Sequence, residues 1–373
     1  MSSNWEVIIK LRAEGGSISL YGMKLDNGEW IFSKETYEIF DLEDEGDDQQ
    51  TGKKNKVRQF KSTKGQAKHT VKGWTGAMEL LNQYPWKKLG PIHIHPEFAT
   101  KILEEISTEK LSPDKVRRWE KATGYCITDV KRSGLINKLK QYLQDSKYTV
   151  VLTGAGMSTE SGLPDFRSAM NGMWKGIDPL QLASTDALEN NKDDFYQFYR
   201  KRIVDLNEVN HHIGHEILAN WENKGVVSSI ITQNVDGFHQ DAGSKKVYEL
   251  HGTLRKCHCH DCYRTYSCED FAGGNNQCKC GGTIRPSVVL FGENLPEEAL
   301  IGAVEETEKA DLFIVLGSSL SVSPANWFPM SAKENGAKVV IVNMDRTELD
   351  DVAVLVINDT KIGDLLRILD ESF

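Results

Sequence analysis

The sequence predicts an α/β protein whose larger part, residues 133–373, is a parallel, doubly wound sheet, with a small α+β unit ahead of it over residues 1–106. Three observations predict this. Apolar runs of strand length recur at Tyr148 to Leu152, Val226 to Ile231, Val247 to Leu250, Leu312 to Leu316, Lys338 to Val342 and Val352 to Ile357. Helix-like segments, notably His215 to Glu222 and Ser331 to Gly336, lie between several of them, an alternation that implies parallel strands with ligand sites at their carboxyl ends. Lastly, six of the seven cysteines fall between Cys257 and Cys280, so a small lobe of about residues 253–285 interrupts the sheet.

In chain order, Trp5 to Leu11, Ser17 to Tyr21 and Trp30 to Phe32, with Asn27-Gly28 as a turn, read as a small antiparallel sheet. An acidic run, Asp41 to Asp48, precedes Lys53 to Lys72, which carries eight Lys or Arg and no acid. Such charge blocks are usually solvated loops, and the functional alternative is a patch for nucleic acid or an acidic partner. Trp74, Met78, Leu80, Leu81 and Trp86 suit a short amphipathic helix and its anchor, and Ala99, Ile102, Leu103 and Ile106 a second helix. His93 and His95 stand between prolines without further ligands, which favours a loop or edge strand over a metal site. Residues 107–132 turn polar and lose their period, as a linker or connecting helix would; Leu135, Ile136, Leu139, Tyr142 and Leu143 then mark one helical face.

A net charge of -9 and an apolar share of 39% exclude a globally basic nucleic-acid binder, and no apolar run is long enough for a membrane span. With no apolar leader at the amino terminus and cysteines grouped as metal ligands rather than a disulfide framework, the expected setting is cytoplasmic.

The chemistry gathers behind the strand ends. After Leu152 comes TGAGMSTESGLPDFR, Thr153 to Arg167, where Gly154 and Gly156 allow a tight turn that can cradle phosphate, and Asp165, Phe166 and Arg167 bring a carboxylate, an aromatic face and a guanidinium to the same turn. The third glycine of a dinucleotide fingerprint is absent, since Thr159 stands there. After Ile231, Gln233, Asn234 and Asp236 can read an amide and orient water or a ring; the bland reading is a capped turn. His251-Gly252 follows the next strand, either a structural histidine or a general base. Cys259 and Cys262 form a CxxC pair, with Cys278 and Cys280 beginning 16 residues later. Four thiolates in two close pairs suit a closed, tetrahedral, structural zinc, although Cys257, His258, His260 and Cys268 lie near enough to substitute. Gly317, Ser318 and Ser319 can bind phosphate or ribose hydroxyls, and Asn343 and Asp345 can reach an adenosine. The extended run RPSVVLFGENLP, Arg285 to Pro296, could pair with an incoming peptide strand.

Taken together and in this order along residues 133–373, these motifs resemble a sirtuin. The resemblance implies a Rossmann-like large domain, a small zinc-binding domain and NAD-dependent removal of acyl groups from protein lysines, with NAD consumed. Carried over by residue, Gly154, Ala155 and Gly156 would hold the phosphates, with Asp165, Phe166 and Arg167 at the nicotinamide ribose. Gln233, Asn234 and Asp236 would line the ribose and nicotinamide pocket, and His251 would be the general base. Gly317, Ser318, Ser319, Asn343, Met344, Asp345 and Ile362 would complete the adenosine site. An acyl-lysine substrate would pair near Val289, Phe291 and Gly292. In the implied mechanism nicotinamide departs, the acyl oxygen attacks the ribose carbon, His251 takes a proton from the ribose hydroxyls, and O-acyl-ADP-ribose results. Aligning Phe195-Tyr196 with the family's pattern puts Tyr199, not arginine, where acid-preferring sirtuins are charged, which favours deacetylation; a three-residue shift would give Tyr199 and Arg202 instead. His211-His212 replace a common Pro-Asn. The alternatives are an NAD-hydrolysing effector controlled by the first unit and a protein ADP-ribosyltransferase.

Overall fold

The structure, a computed structural model, describes residues 5–13, 16–43, 56–62, 70–107, 109–165 and 178–373, with the backbone path alone at 13, 16, 34–43 and 56–62. The chain divides into two compact units, Met1–Gly134 and Leu135–Phe373.

The first unit is built on strands β1 (Glu6–Ala13), β2 (Gly16–Lys24), β3 (Trp30–Glu43), β4 (Lys56–Ser62), β5 (Val71–Lys72) and β6 (Gly90–Ile94). They form an antiparallel sheet of order β4-β3-β2-β1-β6, with β5 added to β3. The charge blocks are not simple loops. β3 pairs with β4 antiparallel, and the backbone register sets residue 38 opposite 61, 41 opposite 58 and 43 opposite 56, so part of each charge block lies on a strand. Most of the remaining Lys53 to Lys72 patch lies outside the described residues. The helices Gly73–Leu81 and Ala99–Ile106 bury Met78, Leu81, Ile102, Leu103 and Ile106 in a core that also holds Ile9, Leu11, Leu20 and Phe32. β6 is an edge strand, and its histidines are used locally: His93 Nε2 meets Val7 O at 3.1 Å and His95 Nε2 meets the Glu6 carboxylate at 2.9 Å. Residues 107–132, expected as a linker or connecting helix, are largely helical. The helix Pro113–Thr123 drives Trp119 into this core at 0% exposure, and Val130 of the helix Ile127–Asp145 joins it.

In the second unit the strands are β7 (Thr149–Thr153), β8 (Ser229–Thr232), β9 (Val247–Glu249), β10 (Gly252–Cys259), β11 (Thr265–Tyr266), β12 (Ile284–Val288), β13 (Leu312–Leu316), β14 (Lys338–Val342) and β15 (Leu355–Ile357). Six of them make a parallel sheet of order β15-β14-β13-β7-β8-β9, which in order of appearance is 3-2-1-4-5-6, the arrangement of the dinucleotide-binding folds. Alternate residues serve opposite faces. Val151, Ile314 and Val340 pack with Leu139, Leu218, Trp221 and Leu365 on one side, while Val150, Leu152, Phe313 and Val339 pack with Ala303, Phe328 and Ala332 on the other. Helices on both faces are the reason these strands read as continuous apolar runs. β8 and β15 start later than their apolar runs: Val226 and Val227 give their N–H groups to Trp221 O in closing the preceding helix, and residues 350–352 form a 3-10 turn. Between β9 and β13 in the chain lies the three-stranded antiparallel sheet β11-β10-β12.

Candidate active site

The strand order reverses between β7 and β13, and the loops leaving their carboxyl ends touch there. Gly154 N–H donates to Leu316 O at 3.1 Å and Gly156 N–H to Gly317 O at 2.8 Å. A Cβ at Gly154 would stand 2.8 Å from Gly317 O, and one at Gly156 2.7 Å from Gly317 Cα. Gly317 is itself left-handed at φ +67°. The glycines are thus required by the crossing of two backbones at a switch point. Gly154 and Gly156 spend their N–H groups on that crossing, so these two N–H groups are already engaged within the fold.

From this crossing a buried polar network reaches to β8. Ser158 donates to Asp236 Oδ2 at 2.7 Å and receives Asn234 Nδ2 at 3.1 Å; Gln233 Nε2 donates to Ser318 Oγ at 2.8 Å. Asn234 and Asp236 are 8% and 6% exposed. Burial pushes the Asp236 carboxyl above the usual carboxylate range, opposed by the N–H of Phe238 and the Ser158 hydroxyl. Behind it, Thr153 Oγ1 donates to Thr232 Oγ1 at 2.8 Å and sits 2.9 Å from His239 Nε2.

His251 follows β9 and joins the network through the backbone. Its Nδ1 lies 3.0 Å from Gln233 O, so Nδ1 carries the hydrogen and Nε2 keeps its lone pair. Burial lowers its pKa from the ordinary value, and the Gln233 carbonyl opposes this. The result is an oriented, neutral imidazole able to accept a proton. Gly252 at φ +72° lets β10 start against β12, since a Cβ there would stand 2.1 Å from Ser287 O. His251 O in turn accepts from Val289 N–H at 2.9 Å, which ties the extended run after β12 to this histidine. Phe291 pairs with the segment at 183–185, its N–H to Ala183 O at 2.9 Å and its carbonyl from Thr185 N at 3.1 Å; Gly292 follows at φ +98°. The buried Arg285 fixes the end of this run by donating to Glu293 Oε2 at 2.9 Å.

Of the other residues singled out by sequence, Ser319 Oγ pairs with Ser321 Oγ at 2.8 Å, and Asn343, Met344 and Asp345 leave the end of β14, with Met344 51% exposed. Ile362 opens the helix Ile362–Asp370, whose Gly363 N–H is received by Glu160 at 2.8 Å, joining that helix to the glycine loop. Phe166 and Arg167 lie outside the described residues, which resume at Asp178 after Asp165. Tyr199 is buried at 2% exposure with Arg202 stacked on its ring. Sequence reasoning did not single out Ser158, Thr232, His239 or Glu160. Only their shared partners reveal them, and no spacing signals that.

The cysteine cluster resolves into a quartet and a pair. The sulfurs of Cys259, Cys262, Cys278 and Cys280 all lie within 4.8 Å of one another, with Cys259 to Cys280 and Cys262 to Cys278 at 3.6 Å. That matches the edge, about 3.8 Å, of a tetrahedron with metal–sulfur bonds of about 2.3 Å. The backbone N–H of Cys280 and the Tyr266 hydroxyl hold the Cys278 thiol below its usual range, favouring the thiolate a metal needs. Among the described residues this is the one group of metal-ligating side chains that converges, and its donor set fits zinc with no position left for water.

A family model described as the Sir2 family matches residues 154–324. An NAD-dependent protein deacetylase of Oceanobacillus iheyensis is 58% identical over 229 residues, which cover 61% of this chain and 97% of that protein. This chain belongs to the Sir2 family. The NAD-dependent protein deacetylase 1 of Geobacillus kaustophilus is 54% identical over 234 residues, 63% of this chain and 97% of that one. Among solved Sir2 structures, one reported on the mechanism and regulation of Sir2 enzymes is 40% identical with a TM-score of 0.60, covering 64% of this chain and 98% of its own. Another, a Sir2 variant with a deacetylated peptide and 3'-O-acetyl ADP ribose, is 38% identical with a TM-score of 0.60 and covers 63% and 97%. The Sir2 fold thus accounts for the second unit's Rossmann-like sheet and cysteine lobe. No helix among the described residues is long and apolar enough to cross a membrane.

Proposed function

We propose that the second unit is an NAD-dependent protein-lysine deacylase acting by preference on acetyl-lysine, and that it releases nicotinamide and O-acyl-ADP-ribose. One observation carries the reading: His251 of a Sir2 domain has Nδ1 tied to Gln233 O at 3.0 Å, which leaves Nε2 as the proton acceptor and fixes the ring to the residue that precedes Asn234. In this reading NAD is a substrate lying across the crossed glycine loops. Asn234 and Asp236, held by Ser158, orient the nicotinamide ribose, Ser318 and Ser319 take the phosphate side, and Asn343, Met344, Asp345 and Ile362 take the adenosine. By the family pattern Asp165, Phe166 and Arg167 would serve the nicotinamide ribose. His251 accepts a proton from a ribose hydroxyl, so the hydroxyl attacks the bound acyl group and the acyl group moves to ADP-ribose, an acyl transfer. The peptide lies along Val289, Phe291 and Gly292, whose backbone is fixed to His251 O and to Ala183.

Cys259, Cys262, Cys278 and Cys280 hold a structural zinc that fixes the small lobe; bound there, the metal supplies folding energy rather than chemistry. Thiolate ligands favour a reducing, cytoplasmic setting. The first unit is an accessory domain, and Lys53 to Lys72 is its candidate contact for nucleic acid or an acidic partner, which steep weakening of binding with salt would support. The test of the main reading is mass spectrometry of products from NAD with acetyl, succinyl and long-chain acyl-lysine peptides, wild type beside His251→Ala. O-acetyl-ADP-ribose from wild type alone is expected; no freed lysine from any peptide overturns the assignment.

A further inference from the structure

The zinc lobe contains two cysteines that the quartet leaves out. We propose that Cys257 and Cys268 are a redox-active thiol pair, closing under peroxide to an intramolecular disulfide that staples the lobe around its metal loop. Their sulfurs lie 2.8 Å apart, against 3.6 Å for the neighbouring contacts inside the quartet. That spacing is too short for two ligands of one tetrahedral metal, whose sulfurs stand about 3.8 Å apart, and needs a closure of about 0.8 Å to reach a disulfide bond of about 2.0 Å. The quartet, this pair and the exposed Cys126 of the first unit account for all seven cysteines.

Both partners sit on fixed backbone. Cys257 lies in β10, the central strand of the lobe, opposite Tyr266 of β11 on one side and Pro286 of β12 on the other. Cys268 follows β11 by two residues and opens the turn of helix Cys268–Ala272, capped by Ser267, whose Oγ receives Glu269 N–H at 3.0 Å. Phe271, wholly buried, anchors that turn, and Arg200 donates to its carbonyl at 3.1 Å. The two sulfurs therefore meet through framework that the fold already holds, and little chain entropy remains to be lost on bonding.

Exposure assigns the order of events. Cys257 is 0% exposed and Cys268 is partly accessible, so a small peroxide meets Cys268 first. The Cys268 sulfur attacks one peroxide oxygen, the O–O bond breaks, and a sulfenic acid and one water result. The Cys257 sulfur then attacks the Cys268 sulfur; the S–S bond forms, the S–O bond breaks, and the hydroxide leaves as water with the Cys257 proton. Overall two thiols and one hydrogen peroxide give one disulfide and two waters, and a dithiol reverses it by exchange at Cys268. Residues 257 to 268 then form a covalent loop that contains Cys259 and Cys262, half of the metal quartet. Oxidation of the pair thus keeps these two ligands together and slows metal loss.

The test treats the zinc-loaded full chain with hydrogen peroxide in modest excess, alkylates the free thiols, and maps cysteines by mass spectrometry while zinc release is followed with a chromogenic chelator. The expected result is a Cys257–Cys268 cross-linked peptide, about 2 Da lighter than the reduced pair, formed before any zinc is released and removed by dithiothreitol. Oxidised protein should then lose zinc to the chelator several-fold more slowly than reduced protein. Cys257→Ser should leave a Cys268 sulfenic acid that dimedone traps, and Cys268→Ser should give no cross-link. The proposal is overturned if both thiols remain alkylatable while quartet cysteines oxidise and zinc leaves, or if Cys268 cross-links to a quartet cysteine. The wild-type map decides the matter even where a variant fails to fold.

Discussion

The two units bury different things. Among the described residues of the first, the buried polar side chains are Ser19 and Ser33, and its core is aromatic and aliphatic, with Trp86 and Trp119 each at 1% exposure or less. The second buries Asp236, Asn234, His215, His239, Ser158, Arg285 and Glu306. Burying such groups costs free energy unless partners are supplied, and Ser158, Asn234, Asp236 and His239 gather in the segments that follow β7 and β8, as a site built for chemistry would require. An apolar core resists by packing, and a polar one by satisfied partners. Perturbations should therefore affect the two units differently.

The largest contrast concerns the metal. Removing zinc with a chelator, or replacing Cys262 with Ser, should melt the cysteine lobe and abolish deacylation while the first unit's near-ultraviolet signal persists, since structural zinc contributes roughly 10–16 kcal/mol in small metal-folded peptides. Circular dichroism and activity read in parallel check this; retained activity in the metal-free protein would break the contrast. Next is His251→Ala, which should lower kcat about 10²–10⁴-fold with the melting temperature nearly unchanged. Comparable in free energy but opposite in kind is Trp119→Ala. It should cost about 3–5 kcal/mol in the first unit, read by denaturant titration, and leave the deacylation rate of the folded protein alone.

Smaller effects sharpen the comparison within the second unit. Ser158→Ala removes the hydroxyl that serves both Asp236 and Asn234, and should cost about 1–3 kcal/mol together with a raised KM for NAD. Acid should act through the buried histidines. Burial, with further lowering by neighbouring histidines, depresses His215 to about 2 and His239 to about 3. The unfolded chain takes up these protons near pH 6.5 and the folded one does not, so stability is fullest above pH 6.5 and falls as pH drops toward 3. The slope is at most about 1.4 kcal/mol per pH unit per group. Asp236 works the other way, since its raised pKa lets the native state keep a proton that the unfolded state has released. Melting of His239→Gln between pH 7 and 4 should show a shallower loss than wild type; an equal loss would remove His239 from the account.

How much of this was legible in sequence follows from where the constraint lies. β13 and β14 match their apolar runs residue for residue, because a parallel strand covered on both faces needs every side chain apolar. The loops of the site were legible because each follows a strand end and carries glycine or amide residues there. Ser158 and His239 were not, since a serine or histidine in a loop has no period and acquires its role only when β7 and β8 pair. Trp119 escaped because one aromatic residue on a charged helix is enough to dock it and too little to show a pattern. The strands β3 and β4 run through the charge blocks and carry no strand signal there, because backbone pairing is a property of register and not of local composition.

The central claim is that the network around His251 couples NAD cleavage to an acyl-lysine. The most direct measurement is the stoichiometry of nicotinamide released against lysine freed, with and without an acetyl-lysine peptide. One nicotinamide per lysine is expected, with NAD turnover falling to background when the peptide is omitted. NAD loss at an undiminished rate without the peptide would contradict it and assign the site to NAD hydrolysis.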